Sequence, residues 1–252
     1  DIHLSSLLLV RVLLRGRRWA SCSRWIRIGM ANIRGADGGS SWLIRSSALV
    51  LTRAAFAWCV RRRVRSLGVM DSDLVVRART VAGDRLVSLP RRWAHVQGVA
   101  ARATGVTFSL GCRSAEEIVA AAWLHDVGYA DSVAVSGFHP VDGALFARGE
   151  GFPELVVSLI AFHTGAEEEA TQRGLSTALG EFAAPAAEAL DVVTFCDLTT
   201  SVDGVLTDAH ARIAEILDRY APGDPVHRAV STSAPRLLAS VSRVESRLAV
   251  AG

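Results

Sequence analysis

Six histidine and aspartate side chains between residues 95 and 197 stand mostly where helices are predicted to begin or end. They are His95, His125, Asp126, His139, His163 and Asp197. Imidazole nitrogens together with carboxylate oxygens suit divalent ions such as Mn, Fe, Co, Ni and Zn, and carboxylates also bind Mg. A bound ion lowers the pKa of a coordinated water and polarises a phosphoryl oxygen. The set therefore predicts a site for one or two divalent ions that serves phosphoester hydrolysis.

The adjacent pair His125-Asp126 is the centre of this set. Neighbouring residues are about 100° apart on an ideal helix, so both can face one ion only where the helix ends. Gly128 follows after one residue, Val127, and allows the chain to bend away. Taken singly, a histidine near a helix end is more often a capping or surface residue. The prediction of a metal site rests on the whole set of candidate ligands, which continues after the pair with the segments FHPVDGA and FHTG and with the helical Asp197.

The elements that must position these residues read as helices from Met70 onward. Their starts are predicted at Pro90, Ser114, Pro140, Pro153, Pro185, Thr207 and Pro225. Ser114 with Glu117 is typical of a capping box, and Gly165 is expected to end the helix that carries His163. The segments PVHRAV and PRLLASVSRVESRLA are expected to supply the last helical turns. With no convincing strand pattern, we expect an all-α bundle of about seven helices.

Charge divides the chain into two regions. Residues 1–69 hold 13 Arg and only two acidic residues, a formal charge of +11, whereas residues 70–252 carry −8. We therefore expect a basic N-terminal extension, 1–69, followed by an acidic globular domain, 70–252, which contains the predicted metal site. Arg11 and Arg53 interrupt the two apolar runs of the extension, so neither predicts a membrane span.

Three interpretations of residues 1–69 are open. The segment could be a basic arm that binds a membrane surface or nucleic acid, or it could be a targeting sequence. We favour the third, a poorly structured extension that is not part of the working protein. On that view neither a nucleic-acid nor a membrane partner is expected. Four Cys without CxxC spacing indicate neither a zinc knuckle nor a disulfide framework, so a cytoplasmic location is the default expectation.

Residues 90–205 resemble the HD superfamily of metal-dependent phosphohydrolases. Its signature, H…HD…D on a helical bundle, is matched by His95, His125, Asp126 and Asp197. The resemblance implies that these four hold the principal ion, and that Asp126 is central to catalysis. It also implies that the acidic domain folds as an HD-type bundle.

His139 and His163 follow the HD pair at places similar to those of extra histidines in two-metal branches of the superfamily. These branches include cyclic-di-nucleotide phosphodiesterases and bacterial symmetric diadenosine tetraphosphate hydrolases. Two ions bridged by Asp126 are one expectation; the other is a single ion, with His139 and His163 binding substrate or water. Two departures matter. Tyr129 stands where many members carry Lys, and the GYP motif of the cyclic-di-nucleotide enzymes is missing.

Arg92 lies three residues before His95, so both project from one helix face, and Arg92 is a candidate phosphate clamp. The alternative is a solvated surface Arg. Glu167, Glu168 and Glu169 are expected to form a solvated acidic patch. The predicted function is hydrolysis of a small phosphorylated metabolite, with a nucleotide or dinucleotide preferred. The rival is a metal-binding regulatory module without turnover. The sequence leaves the oligomeric state open.

Overall fold

A computed structural model describes residues 72–251 of the chain. The predictions made for residues 1–69 lie outside the described residues, so the division into an extension and a domain stays a prediction. Within 72–251 the structure contains ten α-helices, two short 3-10 turns and no strand, with one isolated bridge between Thr200 and Leu206. The predicted all-α fold is confirmed.

The ten helices are joined by connections of two to 14 residues. They are α1 (Asp73–Leu86), α2 (Pro90–Leu110), α3 (Ala115–Leu124), α4 (His139–Gly149), α5 (Glu154–Phe162), α6 (Ala166–Arg173), α7 (Ser176–Leu179), α8 (Ala187–Leu198), α9 (Ala209–Arg219) and α10 (Pro225–Ala251). The 3-10 turns, Val127–Tyr129 and His163–Gly165, follow α3 and α5. In the part of the chain that the structure describes, no helix is both long and apolar enough to cross a membrane.

Helix α3 is the centre of the bundle. Every residue from Ile118 to Leu124 is buried, and α1, α2, α5 and α8 all pack against it. A helix that is apolar on all sides is stable only when it is enclosed, and the small side chains of Ala120–Ala122 let the neighbouring helices approach closely. Because α3 ends directly before His125-Asp126, the burial of this helix places the pair in the interior of the bundle.

Helix α8 carries Asp197 in the same interior. All residues from Asp191 to Leu198 are buried, and the helix packs against α2, α3, α5 and α10. The buried carboxylate of Asp191 is paired with the guanidinium of Arg243 on α10, at 2.6 and 2.7 Å. This pair satisfies a charge that would otherwise be costly to bury, and it joins α8 to the last helix.

Several helix ends differ from the sequence expectation. Asp208, not Thr207, caps α9, because its carboxylate accepts from the backbone of His210 and Ala211 while Thr207 donates its backbone N–H to Thr199. Ser114 occupies the cap position of α3, but its side chain makes no capping hydrogen bond within the described residues.

One further end was placed wrongly. Helix α5 ends at Phe162, three residues before Gly165, because a 3-10 turn follows it. The last two predicted segments, PVHRAV and PRLLASVSRVESRLA, lie in one helix, α10, with Pro235 inside it. Its buried residues keep the spacing of a single continuous stripe, Ala229, Ser233, Leu237, Val241 and Val244. This stripe packs on α6, α8 and α9, which offsets the backbone hydrogen bond that Pro235 cannot make.

Candidate metal centre

The turn after α3 brings His125 and Asp126 to a shared interior point. His125 ends the helix with αR backbone angles and Asp126 begins the 3-10 turn, and their exposed fractions are only 1% and 3%. Gly128 makes this possible: a Cβ there would lie 2.1 Å from the carbonyl oxygen of His139 and 2.8 Å from the backbone nitrogen of Gly143. The absence of a side chain at residue 128 therefore lets the first turn of α4, with His139, approach Asp126.

Three of the histidines are held in the same way, by their Nδ1 atoms. Nδ1 lies within hydrogen-bond distance of a backbone carbonyl oxygen in His95 (Ser201, 3.0 Å), His125 (Ala122, 2.9 Å) and His163 (Ile160, 2.6 Å). Because a carbonyl oxygen only accepts, Nδ1 is the donor in each case. The ring is thereby oriented and Nε2 is directed toward the centre, which is how metal-binding histidines are usually supported.

The carboxylate of Asp126 faces two groups of imidazoles. Its Oδ2 lies 3.3 Å from Nε2 of His125 and 3.9 Å from Nε2 of His95, while its Oδ1 lies 3.6 Å from Nε2 of His139. His139 in turn has its Nε2 3.2 Å from Nε2 of His163. Two compact sets of potential ligands result, each suited to one ion: His95, His125 and Asp126, and Asp126, His139 and His163. Asp126 belongs to both.

Asp197 joins the centre beside His95. Its Oδ1 lies 3.0 Å from Nε2 of His95, and its Oδ2 accepts a hydrogen bond from the hydroxyl of Thr164 at 2.5 Å. The residue is 9% exposed. All six predicted ligands are therefore brought together, with Asp197 reaching the first set from the side of α8.

The backbone near α2 fixes the position of His95. Gly98 and Gly204 stand in close contact, and a Cβ on Gly98 would lie 2.4 Å from the carbonyl oxygen of Gly204. The loop after α8 can therefore lie directly on α2. This contact places the carbonyl of Ser201 where Nδ1 of His95 can donate to it.

Arg92 and Tyr129 border the centre together. Nη1 of Arg92 lies 2.6 Å from Oδ2 of Asp126, and the side chain is only 24% exposed, so the surface-Arg alternative is wrong. The guanidinium carbon is 4.0 Å from the centroid of the Tyr129 ring, and the His139 ring stacks on that ring at 4.0 Å and 19°. Two groups so close to one centroid must occupy opposite faces, so Tyr129 lies between Arg92 and His139.

In the first set, burial and neighbouring charges act in opposite directions on the pKa values of Asp126 and His125. Burial would raise the pKa of Asp126, but the positive charges of Arg92 and His125 outweigh it and hold that pKa well below its usual range. Burial would lower the pKa of His125, but the carboxylate of Asp126 outweighs it and raises the pKa to about 9. Asp126 is thus held as a carboxylate, the form in which it can bind an ion.

In the second set, the pKa values of both histidines are lowered. Burial, followed by the proximity of His163, lowers the pKa of His139 well below its usual range. Burial, followed by the charge of His125, lowers the pKa of His163. Both rings are therefore held neutral, and a neutral imidazole is the form that binds metal ions.

Two supporting residues were not singled out from the sequence. Thr164 contacts Asp197 from 33 positions away, a pairing that no local spacing indicates. Asp142, 3% exposed in the first turn of α4, accepts hydrogen bonds from the backbone N–H groups of Val135, Ser136 and Gly137 and so orders the loop before His139. The sequence did carry a signal for the role of Asp142, because an Asp two positions after Pro140 falls in the first turn of a predicted helix.

The acidic run on α6 is not a uniform solvated patch. Glu167 is half exposed and pairs with Arg236 of α10, whereas Glu169 has only 15% of its side chain exposed and pairs with Arg173 at 2.7 Å. Burial raises the pKa of Glu169. Only Glu167 fits the predicted solvated role, and its partner shows that the run also attaches α6 to α10.

Comparison with known proteins gave one match. A model of the HD domain family matches residues 92–223, a little over half of the chain and a stretch that contains all six candidate ligands. No curated protein and no solved structure matches the chain.

Proposed function

The chain belongs to the HD domain family, and on that premise we propose that it is a phosphohydrolase acting on a small phosphorylated metabolite, a nucleotide or a dinucleotide. HD domains are generally metal-dependent hydrolases that bind divalent ions. The observation that carries the proposal is the position of Asp126, whose two carboxylate oxygens face two sets of imidazole nitrogens. A carboxylate shared in this way suits a pair of ions.

The side chains present fit a metal ion on two independent grounds. Nε2 of His125 is buried and, although Oδ2 of Asp126 lies 3.3 Å away, it makes no well-formed hydrogen bond with any residue that the structure describes, an arrangement that suits an atom with a further partner. Nδ1 of His95, His125 and His163 is already engaged by a carbonyl, which leaves Nε2 of each ring as the coordinating atom. We assign the first ion to His95, His125, Asp126 and Asp197, and a second to Asp126, His139 and His163.

When bound, the ion supplies a nucleophilic water at neutral pH and a Lewis acid for the phosphoryl oxygen. The other functions belong to the chain. Asp126 and Asp197 provide the negative charge that retains the ion, and the enclosing helices exclude bulk solvent. Arg92 lies beside Asp126 with one guanidinium nitrogen in that ion pair. Guanidinium has five N–H donors, so it can also bind phosphate oxygens, and we propose that it orients the substrate.

The test is a hydrolysis screen with the full chain. Nucleoside mono-, di- and triphosphates and dinucleoside polyphosphates are offered with Mn, Co, Ni or Mg in turn, and release of phosphate or of a nucleotide is measured. We expect hydrolysis that depends on the ion. The variant D126A should lose both bound metal and hydrolysis, whereas D131N, which changes an exposed carboxylate five residues away, should keep both.

Three results would count against the proposal. Full hydrolysis by D126A would remove the metal from the mechanism. Folded protein that binds metal but turns over no compound of the screen would favour a non-catalytic metal-binding regulatory module. One ion per chain at saturation would reject the second ion, and would leave His139 and His163 to bind substrate or water.

A further inference from the structure

Thr164 has an unfavourable backbone conformation next to the metal centre. It lies in the 3-10 turn between α5 and α6 with φ 40° and ψ 52°, and among the described residues it is the one non-glycine residue with positive φ. Left-handed angles bring Cβ close to the backbone, and a β-branched side chain such as that of Thr is especially disfavoured there. The next residue, Gly165, adopts φ 83° without that cost.

The hydroxyl of Thr164 makes a contact that a glycine could not make. It donates to Oδ2 of Asp197 on α8, at 2.5 Å. The other oxygen of that carboxylate, Oδ1, lies 3.0 Å from Nε2 of His95. The hydrogen bond from Thr164 restricts the rotation of the carboxylate about its Cβ–Cγ bond. Oδ1 is therefore directed toward the first set of ligands, and Oδ2 is directed away from it.

This contact does not serve to cap a helix. Gly165, and not Thr164, is the cap residue of α6, and no side chain makes a capping hydrogen bond at that end among the described residues. The hydroxyl instead reaches a carboxylate on another helix. A glycine at residue 164 would relieve the backbone, so the threonine side chain must contribute something that the turn itself does not need.

We infer that Thr164 is a positioning residue of the metal centre, whose hydroxyl holds Asp197 so that a single oxygen, Oδ1, is presented to the ion. The inference rests on the proposed function, because it requires that Asp197 bind an ion. Hydrogen bonds that orient a ligating carboxylate contribute strongly to metal affinity, and their removal typically weakens it roughly 10–100-fold.

Three variants separate the hydroxyl from the backbone. T164S keeps the hydroxyl, T164V keeps the β-branched shape without it, and T164G removes both the hydroxyl and the strain. Binding of Mn or Co to metal-free full-length protein is measured by calorimetric titration, and thermal melting is recorded without metal. T171V is the matched control, because the hydroxyl of Thr171 donates only to a backbone carbonyl of its own helix, that of Glu167, apart from a 3.4 Å contact with Ser176.

We expect T164S and T171V to bind the ion as wild type does, and T164V and T164G to bind it roughly 10–100-fold more weakly. T164G should nevertheless melt above T164V, since both lack the hydroxyl and only T164V retains the strain. If Thr164 were merely structural, metal affinity would follow melting temperature, and T164G would bind better than T164V. Wild-type affinity in T164V or T164G would overturn the inference alone, whereas failure of the wild type to bind any ion would remove the proposed function itself.

Discussion

Replacement of Gly128 by alanine tests whether the close contact between the turn after α3 and the start of α4 builds the centre. The new Cβ would lie 2.1 Å from the carbonyl oxygen of His139, and ordinary contact begins near 3.4 Å. The obstacle is backbone, so α4 or the turn must move by about 1 Å. Overpacking of this kind costs about 1–3 kcal/mol. At roughly 2–4 °C per kcal/mol, the melting temperature of a domain of this size should fall by about 2–12 °C.

The functional effect should exceed the loss of stability. Moving α4 moves His139 away from Asp126, and a displacement of about 1 Å in a catalytic group can lower the rate roughly 100-fold. Thermal melting, metal content and kcat/KM on the best substrate of the screen are measured on the same preparation. The control is G105A, at an exposed position inside α2 where a Cβ meets nothing within 4 Å. Alanine there should stabilise the helix by about 0.5–1 kcal/mol.

The reasoning would be refuted by a G128A protein that melts, binds metal and turns over substrate as wild type does. A protein that melts lower but retains its kcat/KM would show that the contact supports the fold without setting the position of His139. G105A must behave as described, because a loss of activity there would mean that the effect of G128A is not specific to the contact with His139.

Three other outcomes are expected. An ion that binds the site, at about 1,000 times its Kd, should stabilise the folded protein by about 4 kcal/mol. The measurement is a higher melting temperature that a chelator reverses. An unchanged melting temperature with every ion tested would contradict the site. R92Q should raise KM roughly tenfold or more, because charged hydrogen bonds to the substrate phosphate are lost. The metal should stay bound, because the ion itself neutralises Asp126. An unchanged KM would exclude Arg92 from substrate binding. Protein beginning at Met70 should melt and bind metal as the full chain does, and failure to obtain it soluble and active would show that residues 1–69 are required.

The candidate metal ligands could be singled out because their residue types and order carry the information, and the structure brings them together. A histidine-aspartate pair at the end of an apolar helix, with a glycine two residues later, limits the local geometry severely. Arg92 was placed correctly on the face of His95, since positions three apart on a helix are neighbours. Its partner could not be predicted: Asp126 lies 34 residues away, and only the packing of α2 on α3 brings the two together.

Errors arose where distant backbone contacts decide between local alternatives. Thr207 and Asp208 are both good cap residues, and the choice falls on Asp208 because Thr207 is bonded to Thr199. The position of Thr164 could not be inferred at all, since propensity argues against a left-handed threonine. Such conflicts between local preference and observed conformation are most often found at functional sites.

The burial of α3 has a consequence for hydrogen exchange. The amides of Ala120–Ala122 lie in a helix enclosed by α1, α2, α5 and α8, so they can meet deuterated solvent only when the whole bundle opens. An ion held at the end of this helix stabilises the closed state alone, and its full binding free energy should slow exchange at these amides. Deuterium uptake in the middle of α3 would therefore report the affinity of a site several residues away, even before any substrate is known.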